Sequence, residues 1–396
     1  MAKSRFLATV DIPLEVAVLV VGALTLLLTG MLLFPIAAGD LGYFEGGLYG
    51  LLLVIFGVEI ITLGKTPFGD LRRSKGVVAA GALIAAVGIV TCFVPDLLGN
   101  VPRILLFVCF GPGGLALIVQ MALDKTKART WWASGGILRH VVFASASVYL
   151  LSMVVAALLW LDEMLTASAT AVVILIFAVA VFYLAGVLQV VYRRYPVTQE
   201  QYRDGDLSAD VALLLLIGLF LVLLGALLVP ISLGSLPSSG SAQLGLLMVI
   251  FAVQMLASGT TPLGPFPRSP VIIVFGLIFA AIGIVACIIP DVFLTPLTLI
   301  IGVINIAGGA ITLMKVAGQL GKPAEPQESR SPILLQLIVV QALMGLLAIT
   351  FGVSMLVTGL IPGAIVGAVL VANGCVLLFE LRLLFLIQRQ QAAISQ

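Results

Sequence analysis

Charge is what this chain has least of. Only 10% of its 396 residues are Asp, Glu, Lys or Arg, against 61% hydrophobic, and the mean hydropathy is +1.25. A soluble domain with one apolar core does not have that composition. Histidine is nearly absent too. His140 stands alone, so paired-histidine haem ligation within the chain is excluded. The four cysteines, Cys92, Cys109, Cys287 and Cys375, show no close spacing of a metal or redox motif and read as small apolar packing residues. No P-loop lysine, no Ser, His and Asp set and no metal-ligand cluster is present, so the expectation is a non-enzymatic protein without cofactors and without nucleic-acid binding.

What the chain has instead is long apolar runs. A hydrocarbon layer of about 30 Å takes roughly 20 apolar residues per helical crossing. Twelve such runs are found, at about 14–36, 47–64, 76–94, 102–123, 137–160, 168–192, 210–231, 243–259, 271–289, 293–315, 332–358 and 363–386. They are continuously apolar, without the alternation of a barrel strand, which predicts an all-α polytopic membrane protein. The first run is longer than a signal-peptide core, and its counterpart around Pro230 lies mid-chain, so it is expected to be retained. Basic residues sort to one side of this scheme: Arg72, Arg73 and Lys75, Lys125, Lys127 and Arg129, Arg193, Arg194 and Arg203, Arg268, and Lys315, Lys322 and Arg330. Arg103 is the exception. By the positive-inside rule both termini are expected in the cytoplasm, in a cytoplasmic membrane.

The chain also repeats itself. GALIAAVGIVTCFVPD (81–96) and GLIFAAIGIVACIIPD (276–291) share 9 of 16 residues at an offset of 195, and Gly50–Ser74 matches Gly245–Ser269 at 13 of 25 positions. The match fades over the last two runs of each half. The reading is a tandem duplication: a first six-helix repeat at 1–195, a cytoplasmic linker at 196–209 and a second six-helix repeat at 210–396. Because six crossings return a chain to its starting side, the repeats are expected to be parallel, related by a pseudo-two-fold axis along the membrane normal. Glycines seven apart, Gly81 and Gly88, Gly276 and Gly283, Gly218 and Gly225, and Gly345, Gly352 and Gly359, lie on one helix face, where a neighbouring backbone can come close. Pro35, Pro95, Pro230 and Pro290 follow as expected helix stops.

A six-span unit with glycines seven apart and a proline at the outer end resembles the HdeD-like family of small bacterial membrane proteins. Gly81, Gly88 and Pro95, their copies Gly276, Gly283 and Pro290, and Gly225 with Pro230 carry the likeness. Two fused units are a departure from that family. The resemblance implies a role in acid or stress tolerance and supplies no functional residues.

Ionisable groups inside spans are the natural functional candidates, because a charge at the helix centre costs about 2.5–3.5 kcal/mol on insertion scales. Glu59, with repeat partner Gln254, reads either as a proton or cation site near the pseudo-two-fold axis or as a carboxylate at interface depth. Glu380 has Asn373 or Gln341 as expected polar partners. The repeated loops GKTPFGDLRRS (64–74) and GTTPLGPFPRS (259–269) place Thr66, Arg73, Thr261 and Arg268 where a fixed turn, or a site for lipid head groups or a partner subunit, is expected. In FGPGG (110–114), Pro112 predicts either a broken helix or a kinked close contact. Three functions follow: a structural or stress-related membrane protein of the HdeD-like type, a proton-coupled small-solute transporter, or a membrane anchor subunit of a larger complex.

Overall fold

The computed structural model describes residues 12–62, 75–123, 127–161, 165–194, 209–261, 264–265, 268–320, 332–357 and 360–394. The helices in chain order are α1 (Leu14–Ala38), α2 (Glu45–Thr62), α3 (Lys75–Phe93), α4 (Val101–Leu123), α5 (Lys127–Ser134), α6 (Gly136–Trp160) and α7 (Ala167–Arg194). After them come α8 (Ala209–Ser232), α9 (Gly240–Ala257), α10 (Pro270–Ile288), α11 (Leu294–Leu320), α12 (Pro332–Leu356) and α13 (Gly363–Ile394). Each expected run overlaps one of these helices. Eleven of them are long and apolar enough to cross a bilayer, and α2, the expected crossing at 47–64, is not among the eleven. The protein is a helical, multi-pass membrane protein. The linker at 196–209 lies outside the described residues except for Ala209.

The unexpected helix is α5, whose sequence KARTWWAS is too short and too polar to cross. Arg139, at the start of α6, stacks its guanidinium 4.6 Å from the Trp132 ring centroid, a pairing suited to the head-group layer. Arg103, the exception to the charge sorting, is engaged as well: its Nε and Nη2 donate to the Leu159 carbonyl at 2.8 and 2.6 Å.

The helices pair through glycine. A methyl added to Gly88 would stand 2.6 Å from the Gly50 carbonyl oxygen, and one on Gly81 would stand 2.8 Å from that of Gly57, so α2 and α3 touch along their backbones. Gly283 meets Gly245 at 2.6 Å in the same way, and Gly276 faces Leu256 and the Ala252 carbonyl, joining α10 to α9. Gly352 meets Gly302 between α12 and α11, while Gly367 meets Gly225 and Gly374 meets Gly218 between α13 and α8. In lipid, helix association depends on this close van der Waals fit, since burying apolar surface gains little there. Seven-residue spacing places two contacts two turns apart on one face. The sequence showed one glycine row of each pair, and its partner row lies on the neighbouring helix. Gly359 lies outside the described residues.

Contacts divide the chain into two compact units that are not the two sequence halves. The first holds α1–α7 together with α9 and α10, and the second holds α8 and α11–α13. In the first unit, α9 and α10 pack on α1, α2 and α3. At that seam the backbone bonds are reciprocal: Phe44 N–H donates to the Ile288 carbonyl at 2.9 Å, and Ser239 N–H to the Phe93 carbonyl at 3.2 Å. Each donor and each acceptor is the other's counterpart at an offset of 195. Gly47 lies directly against the Cys287 carbonyl, with no room for a side chain.

Local chemistry sets the ends. Pro95 and Pro290 follow the last residues of α3 and α10 as expected, and the next residues, Asp96 (φ 59°) and Asp291 (φ 64°), take the left-handed conformation that Asp tolerates better than most residues. Pro35 and Pro230 depart from expectation, because α1 and α8 run past them. Each helix continues until a left-handed glycine, Gly39 (φ 83°) or Gly234 (φ 73°), closes it. The next N–H then bonds back to the proline carbonyl at 3.0 Å, from Asp40 to Pro35 and from Ser235 to Pro230. A proline removes its own N–H but leaves its carbonyl free to accept, so it can sit inside a last turn that ends this way. Pro112 likewise lies inside an unbroken α4.

Candidate functional site: two intramembrane cavities

Glu59 and Glu380, the carboxyl candidates inside the spans, each line a cavity, one in each unit. The first, of about 150 Å³, is walled by α1, α2, α4, α6 and α7. Leu19, Leu26, Phe56, Phe110, Leu117, Phe177, Leu184 and Leu188 make it predominantly apolar, and Glu59 is its one carboxyl. Ser152 lies in the wall but is satisfied: its hydroxyl lies 2.8 Å from the Tyr149 carbonyl and 3.1 Å from that of Phe110. The Phe110 ring meets Phe56 edge-on at 4.7 Å and Phe177 at 6.0 Å, fixing the aromatic side of the hole.

Glu59 is half-buried in the last described turn of α2, nearer the helix end than a span running to residue 64 implies. The helices around its cavity all come from its own half. Gln254, its sequence partner, is half-buried on α9 and lines neither cavity.

The second cavity, of about 190 Å³, lies among α11, α12 and α13. Its lining includes Asn305, Thr312, Gln341, Asn373 and Glu380. The structure thus brings Glu380 together with both residues expected as its partners and adds Asn305 and Thr312 from a third helix. Two of these groups donate to their own helix. Asn305 Nδ2 donates to the Ile301 carbonyl at 2.8 Å, and the Thr312 hydroxyl donates to the Gly308 carbonyl at 2.9 Å. Asn373 Oδ1 is buried and accepts no hydrogen bond among the described residues.

The two cavities occupy corresponding places in the chain. Helix α11 follows α4 at an offset of 195. The glycine contacts set the later helices one residue further: Gly114 faces the Tyr149 carbonyl as Gly309 faces that of Gly345, and Gly30 faces the Ala171 carbonyl as Gly225 faces that of Gly367. The match fades over these helices because their side chains have diverged as well as shifted by one residue. With that shift, Phe110, Leu117, Phe177 and Leu184 answer Asn305, Thr312, Asn373 and Glu380 in turn.

The remaining candidates lie elsewhere. Thr66 and Arg73 fall outside the described residues. Thr261 pairs with Gly264 in a short antiparallel ribbon between Thr260–Thr261 and Gly264–Pro265; residues 262 and 263 lie outside the described residues. Arg268 donates from Nη1 to the Ile12 carbonyl at 3.3 Å. His140 Nδ1 lies 2.6 Å from the Tyr183 hydroxyl. The sequence reading takes the cysteines as apolar packing residues, and Cys92 and Cys287 are both fully buried and neighbour each other at the seam. Each thiol also has a carbonyl of the neighbouring helix nearby, Gly47 at 3.5 Å for Cys92 and Ala242 at 3.6 Å for Cys287. Their equal place in the two halves was the available signal.

No family model, curated protein or solved structure matches the chain.

Proposed function

We propose that the chain is a duplicated six-span unit with parallel halves, α2 being the twelfth crossing, and that it works as a non-enzymatic membrane protein of the HdeD-like type. In this reading it acts in acid or stress tolerance as a structural partner of other subunits and lipids, in a cytoplasmic membrane with both termini inside. The observation that carries the reading is the seam. A transporter built from two repeats needs a cavity where the repeats meet, so that one can rock against the other. Here reciprocal backbone hydrogen bonds and a glycine laid on a carbonyl occupy the place where α2 and α3 meet α9 and α10. Purification from native membranes in mild detergent tests it: co-purifying membrane proteins, together with acid sensitivity of cells lacking the chain, are the expected result. Purification of the chain alone from cells whose acid survival does not change would count against it.

Proton-coupled transport of a small solute is the second reading, favoured by Glu59 at the wall of an intramembrane cavity. It predicts solute flux in proteoliposomes that Glu59→Gln abolishes.

A further inference from the structure

We propose that the cavity among α11, α12 and α13 is a binding site for a monovalent alkali cation that keeps part of its hydration shell. The inference is independent of both functional readings above, because binding needs neither flux nor a partner.

The argument begins with what the cavity offers a guest. An amide NH₂ must face a carbonyl oxygen to bond it, so the contact of Asn305 with the Ile301 carbonyl spends one of its donors on its own helix and leaves Oδ1 as an acceptor. Thr312 has likewise given its one proton to Gly308, and only lone pairs remain on its oxygen. Asn373 Oδ1 is a buried acceptor without a donor, which ordinarily costs about 1–3 kcal/mol and calls for a partner. Gln341 adds an amide oxygen and Glu380 a carboxylate. No Lys or Arg is among the lining residues to neutralise that carboxylate.

Five oxygen-bearing side chains with a single carboxylate form a hard donor set carrying one negative charge. Oxygen ligands select hard cations, and a single carboxylate balances one positive charge. Calcium and magnesium sites ordinarily draw on more carboxylate or on substrate phosphates. A volume of about 190 Å³ exceeds what a bare ion fills. At a share of roughly 30 Å³ per water it leaves space for an ion with several waters. In the corresponding cavity the same places hold Phe110, Leu117, Phe177 and Leu184, so the donor set belongs to the second unit alone.

The test is equilibrium binding of radiolabelled Na⁺ to the purified full-length protein in detergent, with Li⁺, K⁺, Ca²⁺ and methylammonium as competitors. Saturable Na⁺ binding, displaced by Li⁺ or K⁺, is expected. Glu380→Gln, which keeps size and shape, lowers the affinity at least tenfold, and Asp291→Asn, at an exposed turn, leaves it unchanged. Asn373→Asp sets a second carboxylate beside the first and shifts preference toward Ca²⁺ at least tenfold, a gain that misfolding cannot imitate. Absence of saturable Na⁺ binding, Na⁺ binding indifferent to Glu380→Gln, or displacement by methylammonium alone would overturn the proposal.

Discussion

The two cavities share three walls by position, α4, α6 and α7 answering α11, α12 and α13, and differ in what those walls carry. Both are bounded by glycine-contacting helices in matching register, yet one holds phenylalanine and leucine where the other holds asparagine, threonine and glutamate. An apolar hole of about 150 Å³ can remain dry, as cavities lined by Leu, Ile and Phe do, and it suits a small apolar guest. A polar hole of about 190 Å³ needs water or an ion to satisfy its acceptors. The lesson is that backbone contact sets the scaffold while side chains facing the cavity are free to diverge. Glycine positions cannot change without separating helices, whereas a cavity wall has slack.

The largest effects should come from the frame. Gly50→Leu or Gly245→Leu forces a side chain into the Gly88 or Gly283 backbone, and overpacking of this kind costs about 1–3 kcal/mol or more. Both variants are expected to lose the monodisperse peak in size-exclusion chromatography. If the frame is shared, the two losses are similar; a silent Gly245→Leu would break the comparison. Next come exchanges of lining. Leu184→Glu places an uncompensated carboxylate in the apolar cavity and should lower stability by about 2.5–3.5 kcal/mol, read as a lower melting temperature in nanodiscs. Glu380→Leu at the matching position should raise the melting temperature in the absence of Na⁺, because it removes a buried charge without creating one. Smallest is Ser152→Ala, which imitates Ala348 and removes one hydroxyl between the Tyr149 and Phe110 carbonyls. Interhelical hydrogen bonds in membranes average about 0.6 kcal/mol, so a shift of more than a few degrees would mean that Ser152 does more than fill space.

Much of this was legible in the letters. Helix positions followed from run length, and Gly81, Gly88, Gly276 and Gly283 were recognised as contact residues because a seven-residue glycine spacing has a direct geometric meaning. What was hidden depended on pairing between distant segments. The partner glycines on α2, Gly50 and Gly57, are also seven apart, but spacing alone does not say which helix faces which, and on α9 the second place is taken by Ala252. The one-residue shift that aligns Phe177 with Asn373 and Leu184 with Glu380 cannot be found where side chains have diverged; only backbone contacts reveal it. Pro35 and Pro230 misled because helix termination there depends on the later glycine, Gly39 or Gly234, and on a carbonyl that turns back to meet the chain. Cys92 and Cys287 looked inert because their proximity is a consequence of the seam.

That proximity gives the sharpest test of the parallel arrangement. In a chain carrying Cys109→Ser and Cys375→Ser, a membrane-permeant oxidant should join Cys92 to Cys287 within one molecule, giving a mass lower by two hydrogens and a single cross-linked peptide. Parallel halves put these equivalent residues at the same depth beside one axis. Inverted halves would put them on opposite sides of the bilayer, so failure to form the cross-link in intact membranes, while each thiol still reacts alone after unfolding, would contradict the account.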